Sequence, residues 1–360
     1  MKIGFHTNSL SFRGAEIAVF DYAFHNQALL KNDSIIFYKA SSKSEPEVTE
    51  KFKQHFKLIS YENIDQLSKL AELEKLDLMY FIKSGERDGD IVTNVPCAIH
   101  IVFPTKPEDF HGDQLAFVSE WLAKEYSNSK LPFVPHMIDL PHVEGDLRQE
   151  LNIPKEVTVL ACYGGQDSFN LRFVQETIVT ALEKRKDLFF LFMNITPFAK
   201  HERLLFLPGS TQMDHKMRFI NTADGMIHAR GIGESFGLAC GEFSIKNKPV
   251  MTYALSPQRS HIEILGDKAL LYKGSKDLER MLLAFNRNIQ HQQNWDAYSE
   301  HFLPAPVMEK FQEVFLASPK MDLNLSAMDK LAIQGYRFKR KMRNLSKKLY
   351  QSSTKNPQRN

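Results

Sequence analysis

The chain reads as an α/β protein built from two doubly wound domains, each around a parallel sheet. Three observations predict this. Short apolar runs alternate with longer amphipathic segments along most of the chain, the pattern of repeated βαβ units. A length of 360 residues is long for one hydrophobic core and comfortable for two. Polar, glycine-containing turns follow several of the apolar runs, at the strand ends where open α/β sheets hold ligands.

Composition narrows the class. A hydrophobic fraction of 43% with 25% charged residues is that of a globular protein. The three cysteines, Cys97, Cys162 and Cys240, lie in apolar or glycine-rich contexts with no disulfide framework and no zinc spacing, as expected in a reducing compartment. Lys2 to Leu10 reads as a strand and turn rather than a signal peptide, and the most apolar run, Leu188 to Met193, is too short to span a bilayer. These features predict a cytoplasmic protein. Charge is unevenly spread: from Lys330 onward there are ten basic side chains and no acidic one. Removing those ten from the total of 46 leaves 36 basic against 43 acidic residues, so a mildly acidic body carries a strongly basic tail.

The first domain is expected over residues 1–140. Lys2 to Leu10 opens it, a helix is expected over Ile17–Leu30, and a strand over Ser34–Tyr38 completes a βαβ unit, with Gly14 at the first turn. Glu45–Lys57 and Asp65–Lys75 are read as surface helices. Leu76–Ile82 is a strand followed by the polar loop Lys83–Asp90, and Val95–Phe103 is an apolar strand closed by His100. Asp113–Ala123 reads as a strand and helix start, with Ser119 as N-cap.

The second domain is expected over 141–295. Strands are predicted at Val157–Cys162, Leu188–Ile195, Leu204–Pro208, Asp224–Ala229 and Met251–Ala254, and helices at Phe173–Lys184, His215–Asn221 and Asp277–Ile289. Residues 296–320 are expected to form helices that cross back to the first domain. Residues 321–360 make the basic tail.

One stretch carries the chemistry: Gly231-Ile-Gly-Glu234-Ser235-Phe236-Gly237-Leu238-Ala-Cys-Gly-Glu242-Phe. A short buried strand precedes it. The helix after it, Leu238–Lys246, is stopped by Asn247-Lys248-Pro249, because a residue before proline avoids the helical region. A strand, a glycine turn and a helix start leave backbone N–H groups unpaired, and with the helix dipole these favour a phosphate. Two carboxylates bracket that turn, each able to accept from a vicinal diol. The pattern is the footprint of a sugar nucleotide.

This string resembles the E-x7-E signature of retaining GT-B glycosyltransferases of the family 4 type, and Lys248-Pro249-Val250 resembles their following strand entry. The resemblance covers residues 1–315 and implies a GT-B fold, two Rossmann-like domains facing a cleft. It implies that Glu242 holds the ribose, that Glu234 holds the donor sugar, and that the amides of Phe236, Gly237 and Leu238, beside Ser235, hold the diphosphate. It places His100 near the donor sugar. Arg13-Gly14-Ala-Glu16 resembles the family's first glycine loop, with Arg13 in place of one glycine, so Gly14 is a candidate for close approach to the donor. Pro135-His-Met-Ile-Asp139 resembles the segment joining the two halves. No cofactor or metal is expected, the nucleotide-sugar donor being a substrate.

One departure stands out. The family's arginine and lysine after the first strand of the second domain are replaced by Cys162, Tyr163 and Gln166, leaving Arg230 and Arg172 as candidate substitutes. The functional expectation is sugar transfer to a glycan or lipid-linked acceptor by a hexosyltransferase. Two other readings stay open: another GT-B sugar-nucleotide reaction such as epimerisation, and a binding protein that kept the fold without turnover. Apolar residues spaced among the cations of Lys330–Lys348 suit the surface of an anionic membrane, which would make the protein peripheral at its cytosolic face; no nucleic acid is expected.

Overall fold

A computed structural model of the chain describes residues 1–353 other than Phe12, Arg13 and Thr211, with side chains in the last helix described through Met342 and at Leu345. Arg13 and the side chains of Arg343, Lys347, Lys348, Lys355 and Arg359 therefore lie outside the described residues.

The chain divides into two compact units, with the break between Met137 and Ile138. The first comprises Met1–Met137 and His301–Tyr336. Its elements run β1 (Lys2–Thr7), α1 (Gly14–Ala28), β2 (Asp33–Lys39), α2 (Pro46–Lys53), β3 (Lys57–Tyr61), α3 (Ile64–Leu73), β4 (Leu78–Lys83), β5 (Cys97–Ile101), β6 (Gln114–Phe117) and α4 (Glu120–Ser127). All six strands are parallel, in the order β3-β2-β1-β4-β5-β6. The central strands β4 and β5 are nearly unbroken apolar runs because both faces of a parallel sheet are covered.

Local chemistry sets several boundaries. Ser119 caps α4 by accepting from the Leu122 amide at 3.3 Å, and Asn128 ends it in the left-handed region. Pro46 starts α2, which stops at Lys53 rather than Lys57. The next strand, β3, was not expected. It is a half-exposed edge strand, and its polar flanks blur the period-two pattern.

The second unit comprises Ile138–Glu300 together with the chain from Arg337 on. It contains β7 (Thr158–Tyr163), α5 (Arg172–Lys184), β8 (Leu188–Met193), β9 (Leu204–Leu207), α6 (Met213–Thr222), β10 (Gly225–His228), β11 (Gly233–Glu234), α7 (Leu238–Ile245), β12 (Val250–Tyr253), β13 (Gln258–Arg259), α8 (Ser260–Leu265), β14 (Ala269–Tyr272), α9 (Ser275–Ala284) and α10 (Arg287–Gln290). Its parallel sheet runs β14-β12-β10-β7-β8-β9, and β11 pairs with β13 in a separate two-residue ladder. Sequential strands reverse direction of growth between β7 and β10. In an open sheet that switch point opens a crevice at the carboxyl ends of the strands.

The helix expected over Asp277–Ile289 is broken. Phe285 is extended, and Asn286 caps a new short helix by accepting from the amides of Asn288 and Ile289. At the opposite end of the sheet, buried Asp224 accepts from Arg148 at 3.0 Å and from the Val159 amide at 2.8 Å, with His291 also 3.0 Å away. That network fastens the start of β10 to β7.

After the second unit come α11 (Ser299–Phe302), α12 (Pro304–Phe311), a five-residue π turn at Gln312–Leu316, and α13 (Ala327–Ser353). Val307, Met308, Phe311, Val314 and Phe315 are buried in the core of the first unit, against Phe5, Tyr22 and Tyr80. Ser326 and Asp329 cap the start of α13 reciprocally: the Asp329 amide donates to Ser326 Oγ at 3.1 Å, and the Ser326 amide to Asp329 Oδ2 at 3.1 Å.

Candidate functional site

The E-x7-E stretch lies at the switch point of the second sheet. His228 ends β10, the chain turns through Ala229–Ile232, and Glu234 ends the short strand β11. Two glycines shape the turn into α7. Gly233 has φ +79°, and a Cβ there would come within 1.9 Å of the Gln258 carbonyl oxygen. Gly237 has φ +98°, and a Cβ there would lie 2.8 Å from Cβ of His261. Only glycine meets both demands at low cost. Gly237 is also the N-cap of α7, where it supplies no side-chain acceptor to the first turn, unlike Ser119 at α4. Phe236 is buried and meets Tyr298 edge-on at 6.0 Å, anchoring the turn to the core, while Ser235 and Leu238 are half-buried.

Glu234 is held on both oxygens. Arg230 donates to Oε2 at 2.7 Å and His228 Nε2 lies 3.1 Å from Oε1. Burial works to raise the carboxyl, but the His228 hydrogen bond and the Arg230 guanidinium outweigh it, so Glu234 sits below the usual glutamate range. Arg230 is thus committed to Glu234, while Arg172 is exposed and pairs with Glu176 on its own helix.

Glu242, in the second turn of α7, is almost completely buried and receives Lys216 Nζ at 2.5 Å. That ammonium also lies 5.1 Å above the Tyr163 ring, which stacks on Phe243 and meets Phe219 edge-on. Where the expected cation after β7 is missing, an aromatic ring stands, and a lysine from α6 reaches it from another part of the chain. Nothing in the spacing of Lys216 announced this; the contact exists only once α6 packs beside β7. Both acids border the end of β7, Glu242 through Lys216 over Tyr163 and Glu234 through its field on Cys162, whose thiol burial and Glu234 push above its ordinary range.

Behind Glu234 lies a buried polar chain. His228 Nδ1 is 2.9 Å from Thr252 Oγ1, which is 2.9 Å from His261 Nε2. The Tyr272 hydroxyl donates to the His228 carbonyl at 2.7 Å. His228, Thr252 and His261 were not singled out from sequence, although a histidine at the end of the strand before the motif was a usable signal.

His100 corrects an expectation. It is fully buried in the first unit, within 6 Å of the rings of Tyr22, Tyr80, His136 and Phe315. Its Nε2 lies 2.8 Å from the Val134 carbonyl, which can only accept, so Nε2 carries the proton and Nδ1 accepts from the Tyr80 hydroxyl at 2.6 Å. Burial, aided by His136, drops its pKa to about 3. Both ring nitrogens are used, and the side chain serves the core rather than a ligand. Gly14 begins α1, and a Cβ there would meet nothing within 4 Å, so packing does not demand glycine. Among the described residues no cluster of histidine, cysteine and carboxylate side chains is arranged to hold a metal ion, and no helix is long and apolar enough to cross a membrane.

Two six-stranded parallel sheets with this strand order define a Rossmann-like pair of domains, and solved structures identify the arrangement as the GT-B fold. No protein-family model matches the sequence, and no curated protein does. A glycosyltransferase from Rickettsia africae ESF-5 is similar with a TM-score of 0.66 at 12% identity, over 88% of this chain and 99% of that one. Anabaena Alr3699/HepE, in complex with UDP-glucose, is similar with a TM-score of 0.61 at 14% identity, over 94% and 99% of the two chains. WaaG, a glycosyltransferase involved in lipopolysaccharide biosynthesis, gives 0.56 at 13% identity, over 88% and 100%. At such identities the likeness establishes the fold.

Proposed function

We propose that the chain is a glycosyltransferase that moves a hexose from a nucleotide-sugar donor to an acceptor hydroxyl, with retention at the anomeric carbon. One observation carries the reading: Glu234 and Glu242 flank a glycine-capped helix start at the carboxyl ends of the switch-point strands, each with a cation bound to it. A carboxylate has lone pairs enough to hold a cation and still accept from sugar hydroxyls. Glu242 would take the ribose and Glu234 the donor hexose. The amides around Phe236, Gly237 and Leu238, aligned with the α7 dipole, would meet the leaving diphosphate as its charge develops. Lys216 and Arg230, each held by one of the glutamates, would lend the site positive charge in place of the missing arginine–lysine pair, and no metal ion is called on.

The glycosyltransferases of similar fold support the class, and the complex of HepE with UDP-glucose makes UDP-sugars the first donors to test. The acceptor we propose is a glycan or lipid-linked hydroxyl at an anionic membrane face in the cytoplasm. Exposed Met328, Leu331, Phe338 and Leu345 recur at three- and seven-residue steps along α13, among Lys330, Arg337, Lys339, Arg340 and Lys341. That is the face of an interfacial helix.

The test is a hydrolysis and transfer screen over UDP-, GDP- and ADP-sugars, with calorimetry against the nucleoside diphosphates. Nucleotide released together with a glycosylated acceptor of unchanged anomeric configuration supports the proposal. Donor epimerised without acceptor product would move the chain to the epimerase reading, and silence across the binding panel to the scaffold reading.

A further inference from the structure

The chain of His228, Thr252 and His261 has a direction that the hydrogen-bond chemistry fixes. Thr252 lies beside His228 in the β10·β12 ladder and is fully buried, as is His261 from α8. A threonine hydroxyl holds one proton and can give it to one histidine only. Two arrangements satisfy the distances. In the first, His228 is neutral, gives Nε2–H to Glu234, and accepts the Thr252 proton at Nδ1; Thr252 Oγ1 then accepts Nε2–H from His261. In the second, His228 is a cation and donates from both nitrogens, so Thr252 must donate to His261 Nε2, which puts the remaining His261 proton on Nδ1.

His261 Nδ1 is buried and has no hydrogen-bond partner among the described residues. The second arrangement therefore buries an unpaired N–H as well as a charge, whereas the first leaves only a bare lone pair. The charged groups facing the chain are Glu234 and Arg230 at one end and Arg259 near His261, and burial above all presses the His261 pKa well below the ordinary histidine value.

We infer that this relay is a positioning device for Glu234: His261, through Thr252, holds His228 neutral with its Nε2–H aimed at the carboxylate. Arg230 is then the one full positive charge bound to Glu234, and the carboxylate is fixed in orientation without being neutralised twice. Gly237 belongs to the device, since a side chain there would displace His261. The inference rests on the reading of Glu234 as the sugar-side acid, but its observables need no ligand.

The experiment is long-range 15N–1H correlation on the histidine-labelled full chain, with His228 assigned by its loss in His228→Gln, and a 13C titration of the Glu234 carboxyl. In the wild type His228 should show the neutral Nε2–H tautomer at pH 7.5. Thr252→Val should mix the tautomers and raise the Glu234 midpoint, and Thr252→Ser should restore both. An Nδ1–H or charged His228 in the wild type overturns the relay, and so does a Thr252→Val protein in which neither signal moves. Should Thr252→Val not fold, the wild-type tautomer alone decides. Failure to bind any nucleotide sugar would sink the functional reading and leave these spectra to judge the relay separately.

Discussion

Arg230 donates to Glu234 across 2.7 Å from four residues upstream, within a turn rather than along a helix. The pair joins a partly exposed cation to an acid whose other oxygen is already engaged, so Arg230 tunes Glu234 more than it steadies the fold. Arg230→Ala should weaken nucleotide-sugar binding by about tenfold, the lower end for a charge-assisted hydrogen bond because solvent screens this guanidinium. The melting temperature should barely change. Calorimetry with UDP-glucose beside a thermal melt checks both, and a large fall in stability at unchanged affinity would contradict the assignment.

Glu242 and Lys216 should behave differently, because Glu242 is deeply buried. Lys216→Met leaves a buried carboxylate without its cation, a loss of about 3 kcal/mol or more, whereas the double variant Lys216→Met/Glu242→Gln should recover much of that stability but not nucleotide binding. Urea unfolding of the two variants measures the difference.

Gly237→Ala combines a strained φ with a collision against His261. It should cost about 1–3 kcal/mol and abolish binding. Gly14→Ala, in open space, should be neutral for stability, so a loss of donor affinity there would reveal a ligand contact.

Acid should loosen the first unit before any carboxylate of ordinary pKa is titrated. Burial holds His6 and His100 to about 3 and His136 to about 4. An unfolded histidine takes up its proton near 6.5, so the unfolded chain binds more protons throughout the interval between. Stability is complete above that value and falls as pH drops toward the folded values, at about 1.4 kcal/mol per pH unit for each ring. The depressed Glu234 acts with the same sign at lower pH. Melting temperatures at pH 7.5 and pH 5 should differ by several degrees, and His100→Phe, which removes one ring but strands the Val134 carbonyl and the Tyr80 hydroxyl, should be less stable at pH 7.5 and less sensitive to acid.

Removing residues from Ala332 onward should abolish sedimentation with vesicles containing anionic lipid while leaving nucleotide affinity unchanged. Equal sedimentation of the full and shortened chains would remove the membrane from the proposal.

The sequence by itself determined the two α/β domains, most strands, the cap at Ser119 and the glycine turn between Glu234 and Glu242. These are local matters, legible as runs of buried residues, capping side chains and a demand for left-handed backbone. It did not reveal β3, a half-exposed edge strand that lacks the continuous apolar run of strands covered on both faces, or β14, whose four apolar residues are too short a run to tell from a helix segment by pattern alone. Tertiary structure alone decided the partners. Lys216 meets Glu242 from 26 residues away, His261 reaches Glu234 through Thr252 and His228, and His100 turned from an expected ligand contact into a core side chain. A histidine has the same letter in either role. Which it plays depends on whether packing leaves a ring nitrogen facing solvent, and that is set by elements distant in the chain.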